Sequence, residues 1–349
     1  YVWDVKDSHE IQNILGEGGF GVVAKCRNTE TNICEAVKIN KRDLENVKQA
    51  RYEIQILKKL RCLDPDSCSI AKWNGFFFHK DNVCITFELL DQDLDDYIQE
   101  RGPLPLPEIR PVLYQLATAF GHLQSIGIVH ADLKPLNVMV ANRHEKPLRV
   151  KIIDFGLAQL TSATTYDGGV QSLWYKAPEV ILKAPFNEAI DMWSLGVTAV
   201  ELALGSSPYP GDDHLLDCGE TTNKYFQYMV TRTGYHPDQS LLVHLIKELM
   251  HLDPEERIKP MEVLKHPFFA ADTGDEQPRS VTALQSIQET AEPRSKMETR
   301  NQQDIITAAP QDTSEQSSVF SLADLYENNQ QLHQQELHMA TPRSTSEQI

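Results

Sequence analysis

What this chain lacks narrows its chemistry first. It holds six cysteines, Cys26, Cys34, Cys62, Cys68, Cys84 and Cys218, and no two form a C-x-x-C pair. No histidines cluster at metal-ligand spacing. Both absences speak against a zinc module or a disulfide scaffold. They predict reduced thiols in a cytosolic or nuclear protein. No apolar run approaches the ~20 residues that span a bilayer. The opening Tyr-Val-Trp-Asp has neither the basic stretch nor the apolar core of a secretion signal. A first residue other than Met predicts a fragment or processed piece of a longer chain. Excess basic charge is absent too: the formal net charge is −17. So acidic a chain is a poor non-specific binder of nucleic acid or of an anionic membrane.

What is present is enough for a real core. The chain has 349 residues, 41% of them hydrophobic, a length that suggests about two folding units. Residues 11 to 89 read as β-rich. Short strands are expected at Ile11–Leu15, Val22–Arg27, Ile33–Ile39, Ile70–His79 and Val83–Leu89, with a turn at Asp81-Asn82. Between them, Asp43–Leu60 places Leu44, Val47, Ile54, Leu57 and Leu60 at helical spacing. Beyond residue 90 the pattern turns helical, at Glu108–Ile126, Ala189–Leu204, Leu241–Leu252 and Pro260–Lys265. Asp253-Pro254 breaks the last two apart. From residue 270 to 349 there is no Trp, no Cys and one Gly, with Gln, Ser and Thr abundant. That composition predicts a disordered tail, in which Val319–Leu325 reads first as a chance apolar cluster and second as a short partner-binding helix.

Several short strings carry chemistry. Gly16-Glu17-Gly18-Gly19-Phe20-Gly21-Val22-Val23 fits G-x-G-x-x-G-x-V, whose small residues let backbone approach nucleotide phosphates. It lies between two expected strands instead of opening a helix, which argues against a dinucleotide fingerprint. Lys38, in Ala36-Val37-Lys38, is placed to pair the α and β phosphates. Glu53, on the following helix, is its expected ion-pair partner. His130-Ala131-Asp132-Leu133-Lys134-Pro135-Leu136-Asn137 and Asp154-Phe155-Gly156 follow in order. They supply a base for a substrate hydroxyl at Asp132, a cation for the transferring phosphoryl group at Lys134, and magnesium ligands at Asn137 and Asp154. A lone Asp or Asn is ordinarily a turn former. The ordered set, closed by Ala177-Pro178-Glu179 and Asp191-Met192-Trp193, makes that bland reading untenable.

From about Glu10 to Phe269 the chain resembles eukaryotic protein kinases. Within them it is similar to the homeodomain-interacting protein kinases, relatives of the dual-specificity tyrosine-regulated kinases. The strings that carry the likeness are Ile128-Val-His-Ala-Asp-Leu-Lys-Pro, Ile109-Arg-Pro-Val-Leu, Ala189-Ile-Asp-Met-Trp-Ser-Leu-Gly and Tyr209-Pro-Gly. The resemblance implies an α+β, bilobal kinase domain over residues 1–269, with a β-rich lobe to about 89 and a helical lobe beyond. It implies ATP and Mg2+ as cofactors, and Ser/Thr phosphorylation of proteins, often beside proline. Transcription-related substrates and nuclear or cytoplasmic residence follow from it as well. It assigns nucleotide contacts to Leu15 and the Gly-rich loop through Val23, and to Ala36, Lys38, Glu88, Leu90 and Met139. Phe87 falls at the gatekeeper and Glu88–Leu90 at the hinge. Arg257 is expected to pair with Glu179, and Leu57, His130 and Phe155 to stack.

The departures bear on control. Ala131 stands where most kinases carry Arg, a substitution typical of this group. The activation-loop tyrosine of the group is Gly169 here, and the arginines that grip its phosphate fall at Leu173 and Lys176. Lysine is a point charge where arginine is a fork. The expectation is an active loop without phosphotyrosine, held by packing of Leu173 and Trp174, with Thr164, Thr165 and Tyr166 as displaced switch candidates. Leu136 replaces the usual Glu beside Asn137. The segment from Tyr209 to Leu241 is shorter than the group's insert. Two other functions compete: a nucleotide-binding pseudokinase or scaffold, and a tail that binds proteins with the folded domain as its carrier.

Overall fold

The computed structural model describes residues 9–163, 170–206 and 237–270. All of them fall in the first of two compact units, residues 1–291; the second is residues 292–349. The activation-loop positions Thr164, Thr165, Tyr166 and Gly169 lie outside the described residues. So do Tyr209-Pro-Gly, Cys218 and the tail beyond residue 270 with Val319–Leu325.

The first lobe is a five-stranded antiparallel sheet. Its strands are β1 His9–Glu17, β2 Gly21–Asn28, β3 Cys34–Asn40, β4 Trp73–His79 and β5 Asn82–Glu88, in the order β1-β2-β3-β5-β4. Strand parity decides where side chains go. In β3, Val37 and Ile39 are buried in a small core with Ala24, Cys26, Phe77 and Cys84. Ala36 and Lys38 therefore face the opposite side. Gly21 in β2 leaves no room for a side chain: a Cβ there would overlap the Ile39 carbonyl. Strand β4 starts at Trp73, later than the expected Ile70. Ile70 instead bridges in parallel to Ile152. The hairpin reverses at Lys80 and Asp81, both left-handed at φ 46° and 68°. That is one residue ahead of the expected Asp81-Asn82 turn.

Helix α1 spans Leu44–Leu60. Asp43 caps it, its side chain accepting from the Asn46 amide at 3.0 Å. Its buried face carries Ala50, Ile54, Ile56, Leu57 and Leu60, with Glu53 among them. A carboxylate on an apolar stripe must find a cation or remain costly.

The second lobe is built on helices, after a two-residue strand β6 (Gln92–Asp93) and α2 (Leu94–Arg101). Helix α3 spans Leu106–Ser125. Further on, Pro178–Ile181 forms the short α4, and α5 spans Ala189–Leu204. All but two of the 16 residues of α5 are buried, so it is a central core helix enclosed on every side. Gly205 ends it at φ 72°, where a side chain would strike Pro103. Helix α6 runs Pro237–Leu249, starting and stopping earlier than the expected Leu241–Leu252, and α7 covers Pro260–Val263. Short strands β7 (Ile128–Val129), β8 (Val138–Val140) and β9 (Val150–Ile152) carry the loops described next.

Candidate active site

A cavity of about 360 Å³ is bounded by the first lobe's sheet, by β8 and by the residues that follow β9. Leu15, Gly16, Val23 and Ala36 form its roof. Phe87 and the hinge residues Glu88, Leu89 and Leu90 close one side, and Met139 and Ile153 form the floor. Lys38, Glu53, Asn137 and Asp154 are the polar groups at its inner end. Ten of the expected nucleotide and metal positions thus share one cavity wall. The tip of the Gly-rich loop does not line it. Phe20 is exposed at 47% and Val22 is buried in the sheet. Glu17 ends β1, and Gly18 closes the turn by donating its amide to the Gly21 carbonyl at 2.9 Å. The Gly19 carbonyl accepts from Lys41 Nζ at 2.9 Å.

Lys38 is the cation that Glu53 needs. Its Nζ donates to both Glu53 oxygens at 2.9 and 2.8 Å and to Asp154 Oδ1 at 2.9 Å. Burial alone would push Lys38 down, but the two carboxylates outweigh it and hold the lysine above its usual range. The same lysine draws Asp154 below its ordinary value against the pull of burial. Burial pushes Glu53 up, with the Lys38 ammonium opposing. Asp154 Oδ1 also accepts from the Gly156 amide at 3.2 Å. Gln49 of α1 donates to the Gly156 carbonyl, so the helix and this turn are tied together.

The loop from His130 to Asn137 is organised around Asp132. Lys134 Nζ and Asn137 Nδ2 each donate to Asp132 Oδ2 at 2.9 Å. Ser172 donates to Oδ1 from its hydroxyl at 2.7 Å and from its amide at 3.0 Å. Lys134 Nζ also donates to the Ser172 hydroxyl at 2.7 Å. Asn137 Nδ2 is fully committed to Asp132, so its amide oxygen is left over. Among the described residues no protein donor reaches that oxygen or Asp154 Oδ2. Two spare oxygens of this kind suit a hard cation such as Mg2+.

Backbone geometry behind the loop is held from α5. Asp191 accepts from the His130 and Ala131 amides, both at 2.8 Å. Burial pushes its carboxyl up to about 6, with those bonds opposing. They fix Ala131 in the left-handed region at φ 60°. His130 Nδ1 accepts from the Asp132 amide, so its Nε2–H donates to the Ile153 carbonyl at 3.1 Å. Its ring meets Phe155 edge-on at 5.0 Å. Leu57 is buried in the same core cluster.

The activation segment is anchored by a residue that sequence reading passed over. Gln171 donates its amide N–H to the Ala131 carbonyl at 2.7 Å. Its side chain donates to the Ile190 carbonyl at 2.9 Å and the Ser194 hydroxyl at 2.8 Å, and accepts from the Ala177 amide at 3.0 Å. Leu173, expected to pack, is 43% exposed. A three-residue turn at Leu173–Tyr175 sends Tyr175 inward, where its hydroxyl donates to Glu201 at 2.7 Å. Trp174 is the partly buried member that touches the core. Arg257 meets Glu179 in a two-pronged pair at 2.7 and 3.0 Å, as expected. Ser172 and Gln171 carry no local signal of their own, because each acts on a segment distant in sequence; Asp191 stands in a recognisable string, but the string does not show that it binds the His130 and Ala131 amides.

The family described as "Protein kinase domain" matches residues 9–269. Homeodomain-interacting protein kinase 2 of Mesocricetus auratus is 34% identical over 330 residues, covering 75% of this chain and 28% of that protein. Homeodomain-interacting protein kinase 1 of Caenorhabditis elegans is 42% identical over 207 residues, with 59% and 24% covered. Homeodomain-interacting protein kinase 4 of Homo sapiens is 34% identical over 287 residues, with 76% and 46% covered. The chain therefore spans less than half the length of each of these relatives.

Proposed function

The chain belongs to the protein kinase family, and from that premise we propose that it transfers the γ-phosphoryl group of ATP to serine or threonine hydroxyls of proteins. The observation that carries this reading is the Lys38 ammonium held between Glu53 and Asp154 at the inner end of the cavity. A lysine so placed supplies a fixed positive charge to phosphate oxygens without reorganising when the reaction occurs.

In this reading the purine enters under Leu15, Val23 and Ala36 and meets the hinge at Glu88–Leu90. Asn137 and Asp154 would hold Mg2+, which would neutralise phosphate charge. The substrate hydroxyl approaches Asp132, and its oxygen bonds to the γ phosphorus as the bridge to the β phosphate breaks. Its proton passes to Asp132, and Lys134 stabilises charge on the transferring group. Proximity and preset charge do most of the work. Substrates among transcription-related proteins, as the names of the homeodomain-interacting relatives suggest, and nuclear or cytoplasmic residence belong to this reading.

Control without activation-loop phosphotyrosine belongs to it as well. Its support is the bond from Gln171 to Ala131 and the three bonds of the Gln171 side chain. They fasten the segment to the catalytic loop and to α5 through neutral groups.

A degenerate peptide library with Mg-ATP tests the proposal. Serine or threonine peptides should be labelled, and Asp132→Asn should lower kcat by about 10²–10⁴-fold. Labelling that persists undiminished in both Asp132→Asn and Lys38→Met would assign it to a contaminant and sink the reading.

A further inference from the structure

One buried cation has no part in the chemistry above. Lys151 lies in β9, three residues before Asp154, and its side chain is 5% exposed. Its Nζ sits 2.7 Å from Glu88 Oε1 and 2.7 Å from Asp66 Oδ1. Those carboxylates come from different places: Glu88 ends β5 at the cavity's edge, and Asp66 lies in the loop between α1 and β4. Glu88 is tied a second way. Its Oε1 accepts from the Lys72 amide at 2.6 Å, and its own amide donates to the Lys72 carbonyl at 3.0 Å. The loop itself is laced to β9 by Ile152 donating to Ser69 at 2.8 Å and Ala71 donating to Ile152 at 2.9 Å.

The two partners of Lys151 differ in exposure. The Asp66 side chain is 71% exposed and the Glu88 side chain 26%. An exposed ion pair is screened and contributes little, whereas a part-buried one constrains its partner. The Lys151–Glu88 contact is thus the one that fixes a backbone. That backbone, Glu88–Leu90, lines the cavity wall.

We propose that Lys151 is a positioning residue for the nucleotide: through Glu88 it sets the hinge segment against which the purine lies. The proposal rests on the kinase reading above. Lys151 touches neither the phosphates nor the reacting atoms, so its loss acts on nucleotide affinity and leaves the transfer step alone.

The test is steady-state kinetics of the full chain with Mg-ATP, alongside binding of Mg-ADP by calorimetry. Lys151→Met and Glu88→Gln should each raise the ATP KM and the ADP Kd about fivefold or more, with kcat within twofold. In the double variant the two losses should overlap instead of multiplying. Lys151→Arg should recover most of the affinity, and Asp66→Asn should leave it within twofold. Unchanged KM and Kd in Lys151→Met, or an equal loss from Asp66→Asn, would overturn the proposal. A kcat that falls with KM constant would overturn it too. If the unaltered chain binds Mg-ADP but phosphorylates nothing, the kinase reading fails while the binding arm still decides the role of Lys151. If it binds no Mg-ADP at all, both fall.

Discussion

Each working side chain here is held by a partner of another kind. Asp132 accepts four bonds, two of them from Ser172. Ser172→Ala removes the hydroxyl that both steadies Asp132 and receives Lys134. A hydrogen bond to a charged group is worth about 1.5–3 kcal/mol, so kcat should fall about tenfold or more. The ATP KM should stay within twofold, since Ser172 does not line the nucleotide cavity. Ser172→Thr should restore the rate, and turnover at saturating ATP checks the series. Full activity in Ser172→Ala would remove the residue from the mechanism. Ala131 makes a related point. Its buried methyl at φ 60° occupies the place of the usual arginine, and its carbonyl receives Gln171. A left-handed alanine costs about 1–3 kcal/mol, which Asp191 offsets by binding the two amides around it.

Secondary-structure elements are locked to one another by buried polar pairs set among apolar contacts. The Arg257–Glu179 pair joins the loop before α7 to α4. The Arg257 side chain is 0% exposed and that of Glu179 6%. Arg257 also donates to the His251 and Ala189 carbonyls at 3.0 and 2.8 Å and lies over the Trp193 ring. Breaking one partner of such a pair leaves an uncompensated buried charge, costing about 3–5 kcal/mol. Arg257→Met should lower unfolding free energy by that amount in a urea titration. Adding Glu179→Leu should recover much of it, because the stranded carboxylate is then gone. No recovery in the double variant would mean that the carbonyl contacts of Arg257 dominate. In α1 the corresponding case is Glu53, a carboxylate on an apolar stripe. Helical periodicity places it there, and only the adjacent strand explains why it is tolerated.

At the scale of the whole molecule, the second lobe grips the activation segment. Gln171 does so through neutral hydrogen bonds, so removing phosphate from tyrosines should leave turnover unchanged. Tyrosine-phosphatase treatment of purified chain, with peptide phosphorylation measured before and after, checks this, and a large loss would refute it. Much of this architecture was legible in the residues alone. The five strands and three long helices follow from period-2 and period-3.6 patterns, and their ends moved by a few residues where caps and turns decide. The catalytic strings were legible because phosphoryl transfer demands fixed residue types at short spacing. What the pattern predicted wrongly is instructive: Leu173 was expected to pack, yet it is exposed while Gln171 is buried. Hydrophobicity forecasts burial on average, but a segment without regular structure is placed by whichever backbone groups need partners. The sequence by itself thus determined the lobes and the order of the catalytic groups. Only the tertiary structure brought Ser172, Gln171 and Asp191 against the His130–Asn137 loop and Lys151 against Glu88. Each acts across 19 to 63 residues of chain, a distance over which local pattern carries no information and packing alone makes neighbours.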